Sequence, residues 1–515
     1  MADSKNLPRR WDAHGFKPFL LEVLTPVFVG SGEPFTPLDY VVRKEGHDYI
    51  LYLVDGAAWL REAYATGEVG EVALSDMARL RTLLAERLDV ARYAYARLPI
   101  TLPATGKELQ ENIKNPQSNS KAEVLPLTRT AVSGGAFLPG SSLKGALSTP
   151  LINALNEKLS PTCRLSGSNY TRTLESMFGP ITEHAMQALK VADIPLAPQA
   201  TGIVTAREVR RAATPGKRGT PKPPCEALLP VGETKTPPPY GSLHLDCRSG
   251  QPAVELPNGS LISWRELGKL CNAFYKERFQ KEWDTFYAMP HLKEAGQALR
   301  AVRDRVEKLD PEREWLVRVG RYSHIECVTV SRNAPELKKG YGKTRTLADR
   351  QDRQRPFGWA ILHFCSLEEY EKGVRAVQVS LAEAQRERHR QRGEQETRLR
   401  EAMEQARATA RAQEEKEREE REEKERKERE AAEREALLAR LSPQERALRA
   451  LDFSDADATT ALELFRQLDG MDDPLRRQAA EKLKAFWQAR DNWQGKKPSK
   501  KQKEKVARVR EILGE

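Results

Sequence analysis

Three short stretches of the sequence combine glycine with hydroxyls and cations in a way that could do chemistry. Residues 30–32 read Gly30-Ser31-Gly32, residues 140–145 run from Gly140 through Ser141, Ser142 and Lys144 to Gly145, and residues 338–345 contain Lys338, Lys339, Gly340, Gly342, Lys343 and Arg345. Glycine exposes backbone amides, and amides beside hydroxyls and cations suit the phosphates of a phosphodiester chain. Two nucleotide-binding alternatives fail on spacing. The dinucleotide fingerprint that begins at Gly30 and Gly32 needs a third glycine at position 35, where the residue is Phe35. The P-loop that would end at Gly342-Lys343-Thr344 needs a glycine at position 337, where the residue is Leu337.

Around the third stretch, residues 318–355 hold ten Lys or Arg against four acids, Arg350 among them. Tyr322, Tyr341 and Phe357 lie in or beside it and are available to stack on bases, so the reading is contact with RNA, against a merely solvated basic face. Lys217, Arg218 and Lys222 could reach across RNA from a long loop, and the tail carries eight basic residues between Lys496 and Arg510. Asp39 is the one carboxylate to consider for metal-assisted RNA cleavage, with a hydrogen-bonded structural aspartate as the competing reading. His14 and His324 are the candidates for a ribonuclease base.

These groups need elements to hold them. The chain has 515 residues, enough for two to four domains, and a net charge of +11 that favours an acidic partner, nucleic acid before a membrane surface. Lys+Arg exceed Asp+Glu by 52 to 43 in residues 1–380 and by 16 to 13 in 441–515, but stand at 17 to 18 in 381–440, so the excess belongs to the globular part and the tail. Six dispersed cysteines with no C-x-x-C pair signal neither a disulfide framework nor a zinc site. No cofactor or metal is expected. The absence of a signal-like or membrane-spanning apolar run predicts a soluble, cytoplasmic protein.

Residues 17–29 and 39–54 are β-branched and aromatic, and the second stretch turns at Glu45-Gly46-His47, which predicts strand, loop and hairpin. Helical periodicity follows in "GAAWLREAYATG" and in "SDMARLRTLLAERLDVARYAYARL", the latter opening with Ser75 as N-cap. A further helix starts at "SSLKG", with Pro150 kinking or ending it. A second unit opens near residue 165. It contains a Pro- and Lys-rich segment, 212–240, with too few large apolar residues to pack, expected to be a mobile loop. Residues 381–440 interleave charges without heptad apolar positions and predict a solvated single helix, and 441–515 predict a small helical bundle with a basic tail.

The stretches "TPVFVGSGEPFTPLDYVV", "FLPGSSLKGAL" and "GYGKTRT" followed by "PFGW" resemble the signature of the repeat-associated mysterious proteins (RAMPs) of CRISPR systems, over roughly residues 17–375. The opening motif is most similar to the Csm-type subunit that caps the 3′ end of the guide RNA in type III-A effector complexes. Ser148 stands where that family often carries arginine. The resemblance implies an α+β fold with two RRM-like (ferredoxin-like) units, residues 1–164 and 165–380. It implies RNA held by the glycine-rich loops and no catalysis of its own. The partners it implies are guide RNA (crRNA), other RAMP subunits of the complex and target RNA, with no membrane. The alternatives are a guide-processing endoribonuclease of the same superfamily and a backbone or scaffold subunit.

Overall fold

The computed structural model describes residues 15–70, 75–115, 122–130, 134–166, 168–182, 184–212, 219–245, 262–330, 342–349, 354–453, 456–493 and 499–515. The chain divides into two compact units, Met1–Met403 and Glu404–Glu515.

In chain order the strands of the first unit are β1 Gly15–Val23, β2 Tyr40–Glu45, β3 Asp48–Val54, β4 Ala94–Ile100, β5 Phe137–Leu138, β6 Leu189–Val191, β7 Ile194–Pro195, β8 Thr201–Arg210, β9 Thr220–Pro221, β10 Cys225–Leu228, β11 Tyr240–Leu245, β12 Glu314–Arg318, β13 Thr344–Asp349, β14 Gln354–Pro356 and β15 Trp359–Phe364. Its helices include α1 Gly56–Ala65, α2 Met77–Arg87, α3 Pro103–Lys114, α4 Gly140–Lys158, α5 Trp264–Glu282, α6 Lys293–Glu307 and the start of α7, Leu367–Ala439.

One sheet runs β12-β15-β1-β11-β6, antiparallel throughout. Taking β1, α4, β6, β11, α5 and β15 in turn gives a βαββαβ order with strands arranged 4-1-3-2, which is the ferredoxin-like arrangement, and β12 adds a fifth strand at one edge. The second sheet follows the path β14-β13-β8-β4-β3-β2, with β9 and β10 paired to β8. Each sheet therefore draws strands from both sides of residue 164, so the first two units expected from sequence do not separate there. The long segments between β1 and α4, between β6 and β11, and between α5 and β15 leave the ferredoxin-like core and build the second sheet. Phe19, Leu21, Tyr275, Trp315 and Trp359 fill the core of the first.

Local chemistry explains several outcomes. The hairpin β2/β3 turns at Gly46-His47 as expected, with Gly46 at φ +62°. Helix α2 is capped by Asp76, whose carboxylate accepts from the amides of Ala78 and Arg79, rather than by Ser75. The helical pattern stops at Tyr93, and "AYARLPI" is β4, laid beside β3. Pro150 neither ends nor splits α4. Its missing amide would leave the carbonyl of Ala146 unpaired, and the buried Tyr275 hydroxyl donates to that carbonyl at 2.8 Å.

Residues 219–240 are not a loose loop. Cys225, Glu226, Ala227 and Leu228 are buried in β10, paired with Val204 to Thr201 of β8, because this short apolar run completes a sheet that its own sequence does not announce. Residues 213–218 lie outside the described residues. Helix α7 begins at Leu367, and up to Ala402 it packs on the first unit. Arg388 lies over the Tyr95 ring at 4.2 Å, and Gln391 and Gln395 donate to the carbonyls of Ala91 and Arg92. Only beyond that is it the solvated, ion-paired rod expected, with Arg418–Glu422, Arg426–Glu430 and Lys427–Glu423 at four-residue spacing.

In the second unit, helices Pro443–Ala450, Ala458–Gln467, Asp473–Ala489 and Lys500–Leu513 bury Leu448, Leu464, Leu483, Trp487, Trp493 and Val509 together. Ser442 with Glu445 and Asp457 with Thr460 form capping boxes at two of the starts.

Candidate nucleic-acid interface

The first glycine loop leaves the ferredoxin-like sheet at the end of β1. Val27 bridges to Leu228, Gly30 bridges to Leu127, and residues 30–33 are exposed. A side chain at Gly30 would place its Cβ 2.9 Å from the Phe28 ring, and Gly32 sits at φ +100°, so the loop geometry requires glycine at both. Thr128 donates to the carbonyl of Val29 at 3.0 Å, and Phe137 donates to that of Thr128 at 3.0 Å. The Gly30 loop and the segment leading into α4 are thus two strand spacings apart, about 10 Å. The intervening strand is fixed from below by Glu226. Its buried carboxylate pairs with Arg129 and accepts from the Leu127 amide at 3.2 Å and the Thr201 hydroxyl at 2.7 Å.

The second glycine loop is the N-terminus of α4. Gly140 packs so closely that a Cβ would lie 2.2 Å from the carbonyl oxygen of Val191, and its amide donates to Asp193 at 2.7 Å. Ser141 and Gly145 are exposed, Ser142 is half-buried, and the Ser142 amide turns back to Pro139. Lys144 is half-buried one turn in, and burial pushes its ammonium below the usual lysine range. Among the described residues it has no carboxylate partner. The neighbouring His184 is held below its ordinary value by burial and by the Lys144 charge. The Asp193 carboxylate already holds the Gly140 amide at the helix start, which leaves the exposed Ser141 and the Lys144 ammonium as the groups there that could meet a further anion.

The third stretch divides. Lys338, Lys339, Gly340, Tyr341 and Arg350 lie outside the described residues. Gly342 sits at φ +70° and Lys343 is exposed. Arg345, expected to contact RNA, points inward instead: it is 4% exposed and bonds Glu282 at 2.8 Å and Glu326 at 3.0 Å. Arg318 is buried in the same cluster, 2.7 Å from Glu282. Sequence could not tell them apart, because Lys343 precedes β13 while Arg345 lies within it, and the acids that draw Arg345 inward, Glu282 and Glu326, are distant in the chain. Lys343 also stands apart from the first two loops. From Val204, paired with Cys225, to Arg210, paired with Thr344, β8 runs roughly 20 Å at ~3.3 Å per residue.

Other expectations change as well. Tyr322 and Phe357 are not free to stack on bases: the Tyr322 ring lies 6.1 Å from Phe28 and 5.1 Å from Phe357, and Phe357 is fully buried. Lys222 pairs with Glu208 at 3.2 Å. The Asp39 carboxylate accepts from both the amide and the hydroxyl of Thr36 at 2.7 Å, the structural reading of that residue. His324 is held near 3 by burial and by Arg318, so it stays neutral, and its Nε2 accepts from the Thr346 amide at 3.3 Å. His14 lies outside the described residues. Among those residues no group of His, Cys, Asp or Glu could hold a metal ion. Sequence reasoning missed Glu226, Arg129 and Asp193, which hold the two loops in place. Arg129 and Glu226 are far apart in the chain, and no local pattern joins them.

The fold is a ferredoxin-like α+β arrangement, and its first two glycine-containing loops lie side by side where the chain leaves the first sheet. Residues 20–237 match the family model of the RAMP superfamily. No curated protein matches the chain. Among solved structures it is similar to a chain of the "Cryo-EM structure of Csm-crRNA-target RNA ternary complex in type III-A CRISPR-Cas system", at 15% identity and a TM-score of 0.45, over 67% of this chain and 100% of that one. No helix among the described residues is long and apolar enough to cross a membrane.

Proposed function

We propose that the protein is a non-catalytic RNA-binding subunit of a type III CRISPR interference complex in the cytoplasm, binding and capping the 3′ part of the guide RNA. The observation that carries this reading is the adjacency of the Gly30 loop and the Gly140–Lys144 helix start within a RAMP-superfamily region. Two anion sites about 10 Å apart suit successive stretches of one phosphodiester backbone. The motif resemblance supplies the guide RNA, the neighbouring RAMP subunits and the capping position. The engagement of Asp39 by Thr36 and the burial of neutral His324 support a binding role over a cleaving one. Sequencing the RNA that copurifies with the protein tests the reading. Short RNAs of uniform 5′ sequence and variable 3′ ends are expected, and recovery of no RNA would overturn it. An RNA-cleavage assay on the purified protein separates binding from processing, with no cleavage expected.

A further inference from the structure

The gap between the Gly30 loop and Lys343 is crossed by a segment that the glycine motifs do not include, Gly320-Arg321-Tyr322-Ser323-His324. The Arg321 amide donates to the carbonyl of Phe28 at 2.7 Å, next to the Gly30 loop, and His324 accepts from the amide of Thr346, three residues from Lys343. Backbone and hydrogen bonds therefore connect the segment before α4 through Thr128, Val29, Phe28 and residues 320–324 to β13, and the Lys343 carbonyl in turn accepts from the Arg211 amide at 2.8 Å.

Within the segment φ is +92° at Gly320, +69° at Tyr322 and +60° at His324, and not positive at Arg321 or Ser323. An aromatic and a histidine at positive φ are uncommon, and here they are held by the Phe28 and Phe357 rings, by Ser323 Oγ donating to Gly320, and by the Thr346 bond. A residue of negative φ followed by one of positive φ, as Arg321 and Tyr322 are, is the φ pattern of the turns whose neighbouring amides make anion-binding concavities. The amides of Tyr322, Ser323 and His324 have no acceptor among the described residues. Arg321 is exposed, its guanidinium has no carboxylate partner among them, and it lies 5.6 Å from the Tyr322 ring.

We propose that the Gly320–His324 segment is a third phosphate site on single-stranded RNA, taking one backbone phosphate between its amides and the Arg321 guanidinium and carrying the strand from the Gly30 loop toward Lys343. It reads no base, because the Tyr322 ring is packed between Phe28 and Phe357. The inference rests on the RNA-binding reading above.

The test is fluorescence anisotropy of the full chain with two unrelated single-stranded RNAs across a salt series, for the wild type, Arg321→Ala and Arg321→Lys. Arg321→Ala should weaken both RNAs about fivefold to tenfold and make the slope of log K against log salt shallower by ~0.7, one phosphate contact on a single strand. Arg321→Lys, which keeps the charge, should restore the slope. Wild-type binding with affinity and slope unchanged in Arg321→Ala would overturn this site alone, as would a loss confined to one RNA. Failure of the wild type to bind either RNA would overturn the proposed function with it.

Discussion

Replacing Glu282 with glutamine should unfold much of what holds the β13 side of the interface. Glu282 is 3% exposed and bonds Arg318 at 2.7 Å, Arg345 at 2.8 Å and the Tyr287 hydroxyl at 3.1 Å. At an effective dielectric near 20, each pair at ~4 Å between charge centres is worth about 4 kcal/mol gross. Most of that offsets desolvation, but removing only the acid strands the buried Arg318 guanidinium and leaves Arg345 with Glu326 alone, a loss of about 3–5 kcal/mol. That is a large share of the roughly 5–15 kcal/mol of a folded protein. Urea denaturation at pH 7 measures it. The sign with pH follows from the carboxyl: burial raises its pKa, but Arg318 and Arg345 outweigh that and hold it near 2 against an ordinary 4.5. Its contribution is complete above the ordinary value and is lost as pH falls through about 2, so the gap between wild type and Glu282→Gln should narrow in acid. Glu282→Leu combined with Arg318→Met and Arg345→Met should be more stable than Glu282→Gln, because it leaves no buried guanidinium unpaired, and Glu326, which loses Arg345, is partly exposed to water. A loss under about 1 kcal/mol for Glu282→Gln, or a triple variant less stable than the single one, would refute the reasoning.

Changing Lys144 and Lys343 together to alanine should weaken binding of unrelated RNAs alike and flatten the salt slope by ~1.4, two phosphate contacts, whereas loss for one sequence only would favour base readout. His324, held near 3 by burial and Arg318, binds its proton only in the unfolded chain between that value and the ordinary 6.5. Stability should therefore fall as pH drops below 6.5, and His324→Gln should flatten the part between 6.5 and 4.5 in a thermal-melt series. A chain ended after Met403 should melt cooperatively, whereas one ended after residue 380 loses the contacts of Leu381, Arg388, Gln391 and Arg398 and should melt lower; equal melting would show that this part of α7 contributes nothing.

The glycine loops were legible because glycine, serine and lysine in short runs state a local backbone requirement, and Gly30, Gly32 and Gly140 meet it with close contacts or positive φ. The β2/β3 hairpin was legible for the same local reason. What depended on distant partners was not. Strand β1 pairs with β11 and β15, hundreds of residues away, so a boundary at residue 164 read from sequence could not survive. Arg345 and Lys343 belong to one basic run, yet one is buried against Glu282 and Glu326 and the other is exposed, a difference set by acids far away in the chain. Pro150 looked like a helix end because the hydroxyl that satisfies its turn belongs to Tyr275.

The central claim is that backbone amides of the glycine loops hold RNA phosphates, and amide hydrogen exchange of the full chain with and without single-stranded RNA tests it most directly. The account predicts slower exchange on RNA addition in residues 28–33, 139–145 and 320–324, with residues 404–515 unchanged. Unchanged exchange in all three segments while RNA is bound, or protection confined to residues 404–515, would contradict it.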